Sequence, residues 1–460
     1  MIITKDKSFY KSLFLLALPI ALQNLITFAI SFADNVMISS LGDNAVSGVF
    51  MGNQIQTLLQ FLMGGVEGAI LVLAAQYYGK GDGNSVRNIA AIGIRIGAIL
   101  GFLTTLVCAI FPRGVISIFT NKAEIIDTGA EYLGIVCFSF VFFCITQALI
   151  AAERSVECAR VGLYVSLASL VINVVLNYIL IFGKLGFSPM GIRGAAIATL
   201  VSRVTETLII SVYALSIDKK LKIKLSDFIK LDRQLLRDFI KYGAPLVAGQ
   251  IVWSINTLSQ SAIMGRLSED GVVAALSVAN TMHNLAYVTM TGMSNAVGII
   301  TGKTIGAGEE KKMREYAKTV QVIFVALGLI TGGTLHLLKQ PFISLYSNLS
   351  SSAIAISHTL INVLSVTIIG TCYQAACLFG LVKSGGEVDF VFKNDCIFVF
   401  FIVLPSAIAA SFLGAPPWVV FACLKCDQVL KCAVAAVKIN RFNWMKNLTR
   451  GNKPPKTAEA

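Results

Sequence analysis

The sequence predicts an all-α integral membrane protein, with twelve transmembrane helices arranged as two six-helix lobes that are related by a parallel internal repeat. Composition is the first observation: 55% of the 460 residues are hydrophobic and only 14% are charged, whereas soluble domains carry about 25% charged residues. The second is length, because many apolar runs reach the ~20 residues that a helix needs to cross about 30 Å of hydrocarbon. These runs do not alternate apolar and polar residues, so they predict helices rather than barrel strands.

Twelve apolar segments follow one another along the chain, separated by turn residues or clusters of charge. Their approximate ranges are 12–38, 46–78, 87–111, 127–151, 159–182, 191–216, 238–264, 272–302, 315–338, 352–379, 393–413 and 417–439. The second and the eighth segments exceed thirty residues. We therefore expect these two helices to tilt, bend or protrude from the bilayer.

The distribution of basic residues predicts the orientation of the chain. Most of the 38 Lys and Arg residues lie in alternate connections, beginning with the N-terminal segment and including the C-terminal tail. Cytoplasmic loops carry an excess of these residues, so we expect both termini to be cytoplasmic. The same bias accounts for the formal net charge of +13, and the charge therefore calls for no nucleic-acid partner.

A charged, amphipathic connection at the middle of the chain separates two similar halves. The letters PIALQ from Pro19 resemble PLVAGQ from Pro245, and GKGDGNSVRNIA from Gly79 aligns with GAGEEKKMREYA from Gly306. Six segments in each half give the halves one orientation, as in parallel repeats. The predicted divisions are an N-terminal six-helix lobe at 1–216, a cytoplasmic amphipathic linker at 217–237, a C-terminal six-helix lobe at 238–440 and a cytoplasmic tail at 441–460.

Several motifs in this order resemble the multidrug and toxic compound extrusion (MATE) family, which belongs to the multidrug/oligosaccharidyl-lipid/polysaccharide exporter superfamily. They are LPIALQNLI, FADNVMISSLG, AAQYYGKGD, RVGLYVSLASLVINVVLNYILIFG, GIRGAAIATLVSRVTE and RFNWMKNL. The resemblance implies secondary active efflux by alternating access, in which organic, cationic and lipophilic compounds or drugs leave in exchange for Na⁺ or H⁺. It also implies a non-enzymatic antiporter in a bacterial inner (plasma) membrane, without a resident cofactor. Because one chain already contains both lobes, we expect a monomer.

Asp34 is the first candidate for cation coupling, because the resemblance places it where the family has its first-helix acid. A bare carboxylate in a low-dielectric site is costly, and binding H⁺ or Na⁺ removes most of that cost. Asn173 and Asn177 lie on one stripe of the fifth helix and could coordinate Na⁺ or bind substrate, although neither can take a proton. Na⁺ on Asp34 is thus slightly favoured over H⁺. The alternatives are a solvated helix cap for Asp34 and interhelical hydrogen bonds for the two amides.

Other charged residues in the apolar segments allow more than one role. Glu67 in the second helix is a candidate for cation or substrate binding, with an ion pair to a neighbouring helix as the alternative. Arg95 is either the partner of Glu67 or a side chain that reaches the inner surface. Arg203 and Glu206 are three residues apart and are expected to neutralise each other. Asp395 is expected to cap the start of the eleventh helix.

Polar, aromatic and thioether side chains are candidates for a substrate cavity, because such surfaces suit varied lipophilic cations. The candidates are Asn53, Gln54, Gln147, Trp253, Asn256, Asn280, His283, Tyr287 and Met290. Each of them could instead belong to the protein core. Pro19 and Pro245 occupy matching positions in the two halves, and each removes a backbone hydrogen bond, so both are candidate hinges.

Three functions other than efflux each require features that the sequence can be searched for. A membrane enzyme would need a convergent catalytic or metal site, and the three histidines are dispersed along the chain. A channel would need rings of charge or a carbonyl filter. The nearest alternative is a flippase for a lipid-linked glycan precursor in the same superfamily, which would favour extra spans and a cationic cavity.

Overall fold

The computed structural model describes residues 3–228, 232–267, 269–346 and 349–450, and these residues form helices and turns without a β-strand. Sixteen α-helices follow in the order α1 Lys7–Ser39, α2 Asp43–Lys80, α3 Gly83–Ile110, α4 Pro112–Ser117, α5 Ala123–Val136, α6 Ser139–Ser155, α7 Ala159–Phe182, α8 Ile192–Val212, α9 Arg233–Met264, α10 Val272–Gly306, α11 Glu310–Ile343, α12 Ser351–Gln374, α13 Val388–Phe398, α14 Leu404–Phe412, α15 Pro417–Leu424 and α16 Asp427–Asn440. π-helical turns extend α8 and α12 and join α13 to α14.

Two of the predicted spans are broken where the sequence suggested single helices. The fourth, 127–151, consists of α5 and α6, which meet at an angle of 54°. The hydroxyl of Thr105 on α3 donates a hydrogen bond to the carbonyl of Cys137 at the break, 2.7 Å away. A side chain that inserts in this way is one cause of a helix kink. The twelfth, 417–439, is interrupted at Lys425 and Cys426 between α15 and α16.

The helices differ in how apolar they are. Within the described residues, eight helices are long and apolar enough to cross a membrane, and the bent α5–α6 pair makes a ninth. Helices α9 and α10, and the α15–α16 pair, do not meet the same test. The α9 and α10 helices carry most of the candidate cavity residues, so their lower hydropathy comes from side chains that suit a polar or aromatic site.

Small residues allow the helices to pack closely within each half of the fold. A Cβ atom at Gly101 of α3 would lie 2.7 Å from the Cα of Val141 on α6, and one at Gly194 of α8 would lie 2.8 Å from the carbonyl oxygen of Leu180 on α7. Gly332 brings α11 equally close to α12. Lipid tails provide no hydrophobic force between helices, so close backbone approach is a main source of association.

The chain forms two compact units. The amino-terminal unit consists of Leu22–Tyr78 and Asp82–Val247, and the carboxy-terminal unit consists of Met1–Ala21, Gly79–Gly81 and Ala248–Ala460. The unit boundary thus falls two residues after Pro19 in α1 and two residues after Pro245 in α9. The division into lobes at 1–216 and 238–440, with a linker and a tail, stays a prediction.

Candidate functional site

The amino-terminal unit contains a polar cluster around Asp34 of α1. The side-chain amide of Asn177 on α7 donates to the Asp34 carboxylate at 2.5 Å and to the side-chain oxygen of Asn173 at 3.2 Å. Both asparagines are almost completely buried, whereas Asp34 is partly exposed. The spacing of four residues on α7 places the two amides on one face. Three of the four residues proposed for cation coupling therefore lie together, and Glu67 is not among them.

One acceptor in this cluster has no partner. The side-chain oxygen of Asn177 is buried and accepts no hydrogen bond, although buried polar atoms in proteins are nearly always paired. An amide oxygen beside a carboxylate is the kind of ligand that hard cations such as Na⁺ prefer. Because the amide nitrogen of Asn177 faces Asp34, a cation shared by the Asp34 carboxylate and the Asn177 oxygen would require this amide to rotate.

A guanidinium group and a second acid adjoin this cluster. Arg203 of α8 donates to the carboxylate of Glu206 at 2.7 Å, as the sequence predicted, and the guanidinium lies 5.2 Å from the centre of the Phe143 ring. The charge of Arg203 also acts on Asp34. The cluster thus holds two carboxylates and one guanidinium, and the guanidinium is bonded to Glu206. The carboxylate of Asp34 therefore gives the cluster one excess negative charge.

Tyr132 of α5 belongs to the same cluster and was missed by the sequence reasoning. Its hydroxyl donates to the side-chain oxygen of Asn53 at 3.2 Å, and it lies within the electrostatic field of Asp34 and Arg203. Asn53 is therefore connected through Tyr132 to the cluster around Asp34. No local signal marked Tyr132, because it follows the acidic start of α5 in an otherwise ordinary apolar segment.

The other candidates of the amino-terminal unit have contacts of their own. Glu67 of α2 acts electrostatically on Arg154 of α6, whose guanidinium donates to the side-chain oxygen of Gln23 at 2.7 Å. Arg95 is one of the possible partners of Glu67 suggested by the sequence. Its guanidinium donates to the backbone carbonyl of Asp227 at 3.1 Å. Gln54 and Gln147 are partly exposed on α2 and α6.

An aromatic stack forms the centre of a second cluster, in the carboxy-terminal unit. The Trp253 ring of α9 is stacked on Tyr287 of α10 with centroids 6.4 Å apart, and His283 is stacked on the same Tyr287 at 5.8 Å. Asn256, which is buried, has a side-chain oxygen without a hydrogen-bond partner. Asn280 is half-buried on α10. Met290, in contrast, is almost fully buried in the hydrophobic core of this unit.

Buried charges lie near this aromatic stack. The ammonium group of Lys431 on α16 is 2.8 Å from Asp395 on α13 and 3.1 Å from Asp427 on α16. Asp395 acts electrostatically on Tyr287, and Lys425 acts on His283. The prediction that Asp395 caps a helix start was wrong: Asp395 lies within α13, and Lys431 compensates its charge.

Both candidate hinges lie inside continuous helices. Pro19 lies within the 33 residues of α1 and Pro245 within the 32 residues of α9. A proline in a helix interior removes one backbone hydrogen bond and weakens the helix at that point. The division between the compact units follows each proline by two residues, and the hinge role of both prolines stays a prediction.

Comparison with known proteins shows which families the chain resembles. The profile of the MatE family matches residues 19–179 and 245–408, and that of a family described as polysaccharide biosynthesis protein matches 167–299. The chain is 24% identical over 351 residues to the probable multidrug resistance protein NorM of Listeria monocytogenes, covering 75% of each chain. It is 23% identical over 351 residues to the probable multidrug resistance protein YoeA of Bacillus subtilis, covering 74% of each.

Solved structures show the same fold. A MOP superfamily transporter from Pyrococcus furiosus superposes with a TM-score of 0.84 and 19% identity, covering 96% of this chain and 99% of the other. The eukaryotic MATE transporter AtDTX14 superposes with a TM-score of 0.81 and 19% identity, covering 96% and 97%. The predicted fold class, an all-helical membrane protein of twelve spans in two lobes, is thereby confirmed. Since the MatE profile spans most of its length, the chain belongs to the MatE family.

Proposed function

We propose that this protein exports organic, cationic and lipophilic compounds in exchange for Na⁺ or H⁺ by alternating access. The observation that carries the proposal is the excess carboxylate of Asp34, since the one guanidinium beside it is bonded to Glu206. The relatives named as probable multidrug resistance proteins support efflux of drugs. The proposal slightly favours Na⁺ over H⁺, because the amide oxygens of Asn173 and Asn177 could coordinate a metal ion but cannot be protonated.

The coupling follows from the energy of one charge. A single positive charge that moves inward across 100 mV releases about 2.3 kcal/mol, which corresponds to a concentration ratio of roughly fifty. An Asp34 carboxylate that alternates between bare and occupied states can use this energy, because each state favours a different conformation. In the proposed cycle the chain bends at Pro19 and Pro245.

The test is efflux of a fluorescent organic cation from liposomes that contain the purified protein. Na⁺ and H⁺ gradients are imposed separately on the wild type, on Asp34→Asn and on the control Asp127→Asn, whose carboxylate pairs with Arg113 at an exposed surface. One gradient should drive efflux by the wild type and the control, and Asp34→Asn should lose that response while remaining folded. Normal gradient-driven efflux by Asp34→Asn would refute the role of Asp34.

The proposed substrate class rests on the aromatic stack of the carboxy-terminal unit. A cation over an aromatic face gains about 0.5–2 kcal/mol, so Trp253→Ala should weaken the apparent affinity for an aromatic cation roughly 2- to 30-fold. Trp418→Ala is a matched control, because Trp418 of α15 is similarly exposed. Equal effects of the two variants on the KM for efflux would argue against substrate binding at Trp253.

A flippase for a lipid-linked glycan is the second candidate function. The profile described as polysaccharide biosynthesis protein matches residues 167–299, and Lys425 is a buried cation near the aromatic stack. Proteoliposomes in which neither gradient moves the organic cation, but in which a lipid-linked glycan is translocated, would favour this candidate.

The proposed setting is a bacterial plasma membrane with both termini in the cytoplasm. The excess of basic residues in alternate connections supports this orientation, and the relatives compared above include bacterial proteins. A monomer is proposed because one chain already supplies both halves of the repeat. Protease accessibility of the tail in inside-out vesicles tests the orientation, and light scattering of the purified protein in detergent tests the monomer.

A further inference from the structure

A separate group of potential ligands lies in the amino-terminal unit, where the end of α6 meets the segment that follows α8. It consists of Glu153 in the last turn of α6, Cys158 just before α7, and Asp218 after the π-helical turn. One ligand atom from each residue lies within 4.8 Å of the other two. The Cys158 sulfur and the Asp218 Oδ1 atom are 4.0 Å apart.

Glu153 provides an independent reason to expect a ligand. Its side chain is only 1% exposed, and neither carboxylate oxygen accepts a hydrogen bond. A buried carboxylate that is neither paired nor hydrogen-bonded costs several kcal/mol, and such groups usually bind a metal or find a partner. Its orphan oxygens face a thiol and a second carboxylate, which are themselves metal ligands.

The backbone fixes the other two ligands. The Cys158 N–H donates to the Glu153 carbonyl at 2.9 Å, and the intervening Glu157 takes a left-handed conformation with φ of 62°. Three backbone N–H groups hold the Asp218 carboxylate, those of Lys220 at 3.1 Å, Lys222 at 3.0 Å and Leu221. A site held in this way loses little conformational entropy when a ligand binds.

The charges around the site leave room for a cation. Lys220 is the basic group that acts on Glu153, but its ammonium donates to the carbonyls of Val156 at 3.2 Å and Glu157 at 3.4 Å. Two carboxylates and an ionisable thiol thus face one ammonium that is already occupied. Other titratable neighbours are the hydroxyl groups of Tyr78 and Tyr213 and the carboxylate of Glu157, which adds a further negative charge.

We infer that Glu153, Cys158 and Asp218 bind a divalent transition metal of the Zn²⁺ type. Thiolate ligands select Zn²⁺ over Mg²⁺ or Ca²⁺, and Zn²⁺ accepts Cys with Asp or Glu at about 2.0–2.3 Å. Closing the present ligand separations around such an ion requires movements of about 1 Å. The fourth position would be open to water. The bound metal ties the start of the linker to the turn between α6 and α7, on the side predicted to be cytoplasmic.

The experiment uses the full chain in detergent, treated with a chelator and then titrated with Co²⁺ as a spectroscopic substitute for Zn²⁺. A thiolate-to-cobalt charge-transfer band should appear and saturate at one Co²⁺ per chain, and Zn²⁺ should displace it. Cys158→Ser should remove the band. Glu153→Gln should weaken binding by more than the roughly 10- to 100-fold that an outer-shell change costs.

Cys423→Ser is the matched control, because Cys423 and Cys426 form the C-x-x-C of the chain. The band should survive in this variant. Absence of a band in the wild type, or its survival in Cys158→Ser with loss in Cys423→Ser, would overturn the inference. If Cys158→Ser does not fold, maleimide labelling of Cys158 provides a second test. Zn²⁺ should protect Cys158 from maleimide in the wild type, and this protection should be lost in Glu153→Gln. Equal maleimide labelling with and without Zn²⁺ would also overturn it.

Discussion

The buried charges of the carboxy-terminal unit give a sharp prediction for stability. The Lys431 side chain is 6% exposed, and its ammonium bonds both Asp395 and Asp427, whose side chains are 16% and 4% exposed. Lys431→Met keeps most of the side-chain volume but leaves two buried carboxylates without their cation. We therefore expect this single substitution to be strongly destabilising.

The magnitude follows from the number of partners that are lost. Removing one member of a buried ion pair costs about 3–5 kcal/mol, because the remaining charge stays buried. Lys438→Met on the same helix is the control, since Glu387 lies 3.7 Å from Lys438 but keeps Lys446 at 2.8 Å. Its substitution should cost about 1 kcal/mol, close to the loss of an exposed pair.

Apparent Tm in detergent measures the difference. The unfolding entropy per residue gives a chain of 460 residues a shift of about 1 °C per kcal/mol. Lys431→Met should therefore melt roughly 2–4 °C below Lys438→Met. The triple variant Lys431→Met, Asp395→Asn, Asp427→Asn should recover much of the loss, because it buries no unpaired charge. Equal melting of the two single variants, or a triple variant less stable than Lys431→Met alone, would refute the electrostatic reasoning.

Two further predictions concern packing and pH. Gly79→Ala should destabilise the protein by about 1–3 kcal/mol, because the added Cβ would clash with the Lys303 carbonyl oxygen. Gly249→Ala is the control: a Cβ there would have no atom within 4 Å, so this variant should be neutral or stabilising in thermal melts. The Tyr316 hydroxyl donates to Asp6 and holds the pKa of that carboxyl below its ordinary value of 3.8. The contribution of this hydrogen bond to folding stability is therefore complete above the ordinary pKa, and it is lost as pH falls through the lowered pKa of the folded state. Tyr316→Phe should therefore reduce the change in apparent Tm between about pH 5 and pH 3, and an unchanged pH profile would contradict this.

Hydropathy was sufficient to predict the helices, but not where they break. The break between α5 and α6 lies among apolar residues, and the side-chain hydroxyl that donates to the carbonyl of Cys137 comes from Thr105, 32 positions earlier. No window of local sequence contains both residues. The interruption at Lys425 likewise follows a continuous apolar run.

The candidate site was predictable to the extent that its residues share one helix. The spacing of Asn173 and Asn177 predicts one face of α7, but only the family resemblance suggested Asp34 of α1 as part of the same site. Asp395 was misassigned because its partner Lys431 is 36 positions away. The pair Asp427 and Lys431, four residues apart in α16, was readable from the sequence and would have indicated a buried ion pair.

The unit boundaries have a consequence for dividing the gene. The start of α1 belongs to the carboxy-terminal unit, where a Cβ added to Gly292 of α10 would lie 2.8 Å from Ala21. The start of α9 belongs to the amino-terminal unit, where Val247 contacts Gly65. A polypeptide cut at the linker therefore yields two fragments, each of which supplies part of both units. Neither fragment contains a whole unit, whereas two co-expressed fragments contain every segment that both units require. The protein should consequently tolerate an interrupted chain as a complementing pair and not as separate halves.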